Sequence, residues 1–158
     1  MSEQKPWDFM KFKIGVIPAL MEFKHTCKYN TGEGARMTGM WRLVQTLSEI
    51  YGIPCPTLLF TTTADMEHSF LSYYRPEDHT INIVGKLSII TLLHEFAHAL
   101  GKNQAEAQKW SISLFRRCYP KAFETLSPTV NGCLIQEQIV DAVMVPDTLL
   151  LTQGGQNG

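Results

Sequence analysis

A chain of 158 residues, 44% of them apolar, is long enough to bury one good core and short for two, so a single domain over residues 1–158 is expected. Fourteen Lys and Arg against fifteen Asp and Glu leave a formal net charge of −1, without the broad basic footprint of a nucleic-acid or membrane-surface binder. No apolar run approaches the roughly 18 to 20 residues that span a bilayer, and the polar opening MSEQKPWDFMKFK lacks the apolar stretch of a secretory signal, so a cytoplasmic protein is expected.

Cys27, Cys55, Cys118 and Cys133 form no CxxC pair, which argues against a zinc ribbon or a thioredoxin-type site and for ordinary buried thiols. Residues 1–39 show no clean period and read as an irregular segment. They end in TGEGARMTG, Thr31 to Gly39, whose glycines suggest a flexible loop; without a following Gly-Lys-Ser/Thr it is no phosphate loop. From Met40, the residues Trp41, Val44, Leu47, Ser48 and Tyr51 recur at helical spacing, and Gly52 with Pro54 supplies a stop.

TLLFTTT, Thr57 to Thr63, is β-branched and apolar and predicts a strand. HSFLSYY and HTINIV flank the turn composition RPED, Arg75 to Asp78, and predict a hairpin. Lys86 to Leu100 reads as a helix that Gly101 ends, and Asn103 caps another running to about Cys118, closed by Tyr119-Pro120. Residues 121–150 form a C-terminal helical segment in which Ile135, Ile139, Val140 and Val143 share a face between Leu134 and Val145. Residues 151–158 read as a disordered tail. The fold class is α+β, with a core over about residues 41–120.

Within the helix 86–100 the chain spells HEFAH. With 5 histidines and 10 glutamates in the sequence, HExxH is expected by chance about 0.01 times. In a helix, His94 and His98 lie about 40° apart with one turn of rise between them, so both imidazoles can converge on one ion. Glu95 flanks that face, where it can reach a water rather than the metal. Zinc lowers the pKa of such a water from 15.7 toward about 7, and a carboxylate beside it can take up the proton. Thr91, His94, Glu95 and His98 occupy one sector of the helix, and Ile89, Ile90, Leu92, Leu93, Phe96, Ala97 and Leu100 the opposite arc.

Two histidines hold zinc loosely, so a third ligand is expected. The metzincin pattern HExxHxxGxxH is matched as far as Gly101, but Gln104 stands where its third histidine belongs, which disfavours that family. Glu106 is the nearest acid. Its spacing fits a ligand brought back by a reversal at Gly101, and it equally fits a capping box with Asn103. Asp141, His68 and His79 are more remote candidates.

The order helix, short strands with a hairpin, HEFAHALG, then EAQKWSISLFRRCYP resembles the small single-domain gluzincins. These are the minigluzincins and the ImmA/IrrE-like and SprT-like metallopeptidases of archaea, bacteria and phages, and the resemblance covers about Trp41 to Pro120. It implies a small zincin-like domain, with a three-stranded sheet packed on the HExxH helix, acting as a zinc-dependent peptidase, an endopeptidase. It implies one Zn2+ per chain on His94, His98 and Glu106, with Glu95 as general base, and an extended peptide or protein substrate lying beside the hairpin Ser69 to Val84. Tyr73, Tyr74 and His79 are oxyanion candidates by the same resemblance. The chain departs from the SprT-like pattern in having no histidine after His98. Two other functional classes stay open: a non-catalytic or latent metal-binding scaffold protein of a phage or other mobile element, and a zinc hydrolase of a non-peptide bond. The resemblance allows Leu134 to Leu151 to lie over the cleft, but completing the core is the favoured role of that segment.

Overall fold

The computed structural model describes residues 11–28, 32–61, 72–85, 87–128 and 134–136. The chain is α+β, with five helices and a small mixed sheet among the described residues. Helix α1 spans Val16–Thr26 and α2 spans Glu33–Tyr51; β1 (Thr57–Thr61), β2 (Tyr73–Arg75) and β3 (Thr80–Val84) follow. Then come α3 (Ile89–Ala99), α4 (Gln104–Cys118), the short α5 (Pro120–Glu124), and the strands β4 (Leu126–Pro128) and β5 (Leu134–Gln136).

The expectation of an irregular segment over residues 1–39 is not met, because α1 and the first turns of α2 lie within it. In α1, Val16, Leu20 and Phe23 are buried at helical spacing and Cys27 continues the stripe just past the helix end. Pro18 does not break the helix, since it sits in the first turn, where a backbone N–H has no intrahelical acceptor. Helix α2 runs straight through Gly34 and Gly39. At Gly39 a side chain is excluded by packing: a Cβ built there would collide with Cys27 Sγ and press on the Phe23 ring. The glycine therefore marks the close approach of α1 and α2 rather than a loop.

Arg36 helps to lock this corner. It is buried, its Nε donates to Leu87 O and its Nη1 to Cys27 O, both at 2.7 Å, and its guanidinium lies 5.2 Å from the Phe23 ring centre. These bonds join the chain after α1, the start of α2 and the entry to α3. Helix α2 stops at Gly52, which is left-handed (φ 67°) and precedes Ile53, whose N–H donates to Ser48 O.

In the sheet, order β1-β3-β2, β3 is central, parallel to β1 and antiparallel to β2. All five residues of β3 are buried, as a central strand covered on both faces requires. The hairpin β2–β3 turns where RPED predicted it, and Arg75 and Asp78 close the turn with a paired salt bridge at 2.7 and 2.9 Å. His79 holds a positive φ of 53°, and its ring ties the turn to the chain before β1: Nε2 donates to Pro54 O at 2.7 Å, which leaves Nδ1 to accept from the Tyr74 hydroxyl at 2.7 Å.

Helix α3 lies at the centre of the molecule, in contact with α2, α4, β2 and β3, and Ile89 through Ala97 are all buried. Phe96 packs against Trp110 of α4 and Tyr51 of α2, and Trp110 also meets Phe12. At the C-terminal end, the helix expected from Leu134 begins instead as β5, paired antiparallel with β4; the remainder of that segment and the tail lie outside the described residues. Among the described residues no helix is long and apolar enough to cross a membrane.

Replacing a glycine by alanine inside a helix ordinarily stabilises by about 0.5–1 kcal/mol. Gly39→Ala is expected to do the opposite, lowering stability in urea unfolding by about 1–3 kcal/mol through overpacking against Cys27. The double variant Cys27→Ala/Gly39→Ala should recover much of that loss. A stabilising Gly39→Ala would show that α1 and α2 do not approach as described.

Candidate metal centre

Helix α3 begins at Ser88, whose Oγ accepts from Thr91 N at 3.3 Å, and ends in a reversal at Gly101. Gly101 is left-handed (φ 89°); its N–H donates to His98 O at 2.9 Å, and the N–H of Lys102 donates to Ala97 O at 3.1 Å. This six-residue closure turns the chain back on itself and starts α4 beside the last turn of α3. The reversal that the sequence assigned to Gly101 is thus present, and it delivers the N-terminus of α4 to the histidines.

His94 and His98 stand as the helical spacing requires. Their Nε2 atoms are 3.2 Å apart and their rings meet edge to face, with centres 4.8 Å apart. His98 Nδ1 donates to Lys102 O at 2.9 Å, which fixes its tautomer and leaves Nε2 with a lone pair directed at the pair's shared space. His94 is 4% exposed. Burial, reinforced by the neighbouring His98, pushes its pKa down to about 4, with the contact to Gln104 opposing, so the ring is neutral near pH 7.

Glu95 lies beside them at 6% exposure. Burial pushes its pKa up to about 8, opposed by the backbone N–H of Tyr74 on β2. Held this high, the group is mainly the protonated acid near pH 7 in the metal-free protein. One turn earlier, the buried Thr91 hydroxyl has no hydrogen-bond partner among the described residues. Of the polar sector read from the sequence, Thr91, His94 and Glu95 are buried and His98 is half-buried.

Glu106 and the histidines are not brought together. Its Oε1 accepts from Asn103 N at 2.9 Å while its own N–H donates to Asn103 Oδ1 at 2.9 Å, the reciprocal pair of a capping box. The atom that does meet the histidines is Gln104 Oε1, 3.2 Å from His94 Nε2 and 3.1 Å from His98 Nε2. Among the described residues no three His, Cys, Asp or Glu side chains gather as a metal-holding group. In the sequence Gln104 only disfavours the metzincin pattern by standing where its third histidine belongs, and that position is the signal that marks it.

The two histidines fit a metal. Zinc–nitrogen bonds of about 2.0–2.1 Å in a tetrahedron separate neighbouring donors by about 3.3 Å, close to the 3.2 Å between the two Nε2 atoms. The His98 ring is oriented by a backbone carbonyl, the arrangement usual for ligating histidines. The remaining candidates stand elsewhere: His79 is engaged with Pro54 and Tyr74, Tyr73 Oη accepts from Asn82 Nδ2 at 3.3 Å, and His68 and Asp141 lie outside the described residues. A groove between α1 and α2, lined by Ala19, Glu22, Phe23, Arg42 and Glu49, includes none of the site residues.

No protein-family model matches the chain, and neither does a curated protein or a solved structure. The functional reading therefore stands on the residues themselves.

In the metal-free protein, held so by chelator, Asn103→Ala and Glu106→Ala are each expected to lower stability by about 1 kcal/mol in urea unfolding. Because the two bonds are reciprocal, the double variant should lose less than the sum. Strict additivity, or no effect of Glu106→Ala, would show that the carboxylate does not close the cap.

Proposed function

We propose that the protein is a zinc-dependent peptidase, an endopeptidase acting on an extended peptide, in which His94 and His98 hold the metal and Glu95 is the general base. The observation that carries this reading is the convergence of the two Nε2 atoms at 3.2 Å with the buried Glu95 carboxylate on the adjoining helix position. When bound there, zinc supplies Lewis-acid activation of water and of a carbonyl group.

The chain's own residues supply the rest. His98 is held in its ligating tautomer by Lys102 O, and His94 is kept neutral by burial. Glu95 takes the proton released as water attacks the peptide carbonyl, and returns it to the departing amine nitrogen, so the carboxylate ends as it began. Burial raises its affinity for that proton, and the backbone N–H of Tyr74 on β2 opposes this.

A peptide substrate is favoured over other amides by the position of β2. Among the described residues it is an edge strand of the sheet and packs against α3, so a chain pairing with that edge would run past the helix that carries Glu95. The absence of a membrane-crossing helix among the described residues, and the free thiols of Cys27, Cys55 and Cys118, favour a reducing cytoplasmic setting.

Elemental analysis of the purified protein should give one zinc per chain. Glu95→Gln should retain that zinc and lose about 100- to 10,000-fold in cleavage of a peptide library, read as new termini by mass spectrometry. New termini at the same rate in both proteins would eliminate Glu95 as the base. Zinc in both with no cleavage by either would favour the scaffold reading.

A further inference from the structure

We propose that the side-chain oxygen of Gln104 is the third protein ligand of the metal held by His94 and His98, so that the donor set is two imidazoles and one neutral amide. This rests on the reading above that a metal ion is bound at all. The three atoms form a nearly equilateral triangle: His94 Nε2 to His98 Nε2 is 3.2 Å, His94 Nε2 to Gln104 Oε1 is 3.2 Å, and His98 Nε2 to Gln104 Oε1 is 3.1 Å. A tetrahedral zinc site with bonds of about 2.0–2.2 Å has donor triangles of about 3.3–3.5 Å on a side. The triangle is that shape and only slightly smaller.

The protons point the same way. A neutral imidazole carries one N–H, and His98 directs its own from Nδ1 to Lys102 O, so its Nε2 presents a lone pair. Gln104 Oε1 presents lone pairs as well. At most one proton, on His94, lies among the three converging atoms, and it can serve one of the other two. Three acceptors with one proton between them form a poor hydrogen-bond cluster and a good cation cradle.

Helix geometry separates Gln104 from Glu106. They are the first and third residues of α4, two apart, and so point about 200° apart around its axis. With Gln104 over the histidines, Glu106 faces away, where its carboxylate closes the capping box. The two roles that spacing alone allowed to Glu106 are thereby divided between two side chains. A neutral third donor also leaves the zinc its full charge of +2, where a carboxylate would reduce it to +1.

The experiment is zinc affinity, measured by competition with a chromophoric chelator, and the Co2+ absorption spectrum, for the full chain and four variants. Gln104→Ala should weaken zinc binding by at least about 100-fold, more than the loss of an orienting contact causes, with its melting temperature in chelator unchanged. Gln104→His should restore tight binding and shift the Co2+ bands, because nitrogen replaces oxygen at the metal. Glu106→Gln should stay within about twofold of the parent chain, and His98→Ala should lose zinc.

If the parent chain and His98→Ala both fail to bind zinc, the metal reading falls and this proposal with it. If His98→Ala loses zinc while Gln104→Ala holds it as tightly as the parent chain, only this proposal falls, and Gln104 is a hydrogen-bonding neighbour with its NH2 turned toward the rings. Loss of zinc in Glu106→Gln alone would return the third position to the carboxylate.

Discussion

The reversal at Gly101 is the constraint on which the site depends. Helix α3 could end anywhere along its apolar course; it ends where Gly101 takes up a left-handed conformation that a side-chain-bearing residue adopts only with strain. That turn fixes three things at once. It stops α3 one residue after His98, it aims the Lys102 carbonyl at His98 Nδ1, and it starts α4 with Gln104 over the histidines. The turn is held from outside by the packing of α3 on α4, in which the Phe96 and Trp110 rings lie 6.2 Å apart.

Burial of α3 on all sides gives the site its electrostatics. In an exposed helix the sector Thr91, His94, Glu95 would be solvated and ordinary. Here β2, β3 and α4 close over it, and the same desolvation acts in opposite directions on the two kinds of group: it favours neutral imidazole at His94 and protonated carboxyl at Glu95. Both are metal-free tendencies. A dication at the histidines would oppose the second by favouring the carboxylate, so cation binding and release of the Glu95 proton would be coupled.

The parts of the fold legible in the sequence are those whose signals are local. Asn103, Gly101 and Gly52 mark helix ends through capping and left-handed turns, and the boundaries of α4 fall where Asn103 and Tyr119-Pro120 put them. RPED sets the hairpin through the Arg75–Asp78 pair, which spans only three residues. What was not legible depended on distant partners. Gly34 and Gly39 look like loop residues until α1 is brought against α2, when the space at Gly39 is taken by Cys27. The stripe Val16, Leu20, Phe23, Cys27 was present but interrupted in appearance by Pro18, whose tolerance depends on the helix starting just before it. In the site, His94, Glu95 and His98 were fixed by period alone. The third atom was not, because period gives a face only within one helix, and Gln104 and Glu106 lie on the next.

The energetics of α4's first turn explain why the amide rather than the acid lies over the histidines. Glu106 occupies the third helical position, where it satisfies the otherwise orphaned Asn103 N–H and sits in the positive field of the helix N-terminus. Turning it toward another cation breaks that bond and removes a negative charge from the place where the helix favours it. Gln104 occupies the first helical position, is exposed, and carries no net charge, so its rotation toward the histidines breaks no cap and gives up no dipole interaction. The helix end therefore sorts its two polar side chains by charge: the carboxylate stays with the backbone donors that need it, and the neutral oxygen is left free to complete the triangle with His94 and His98.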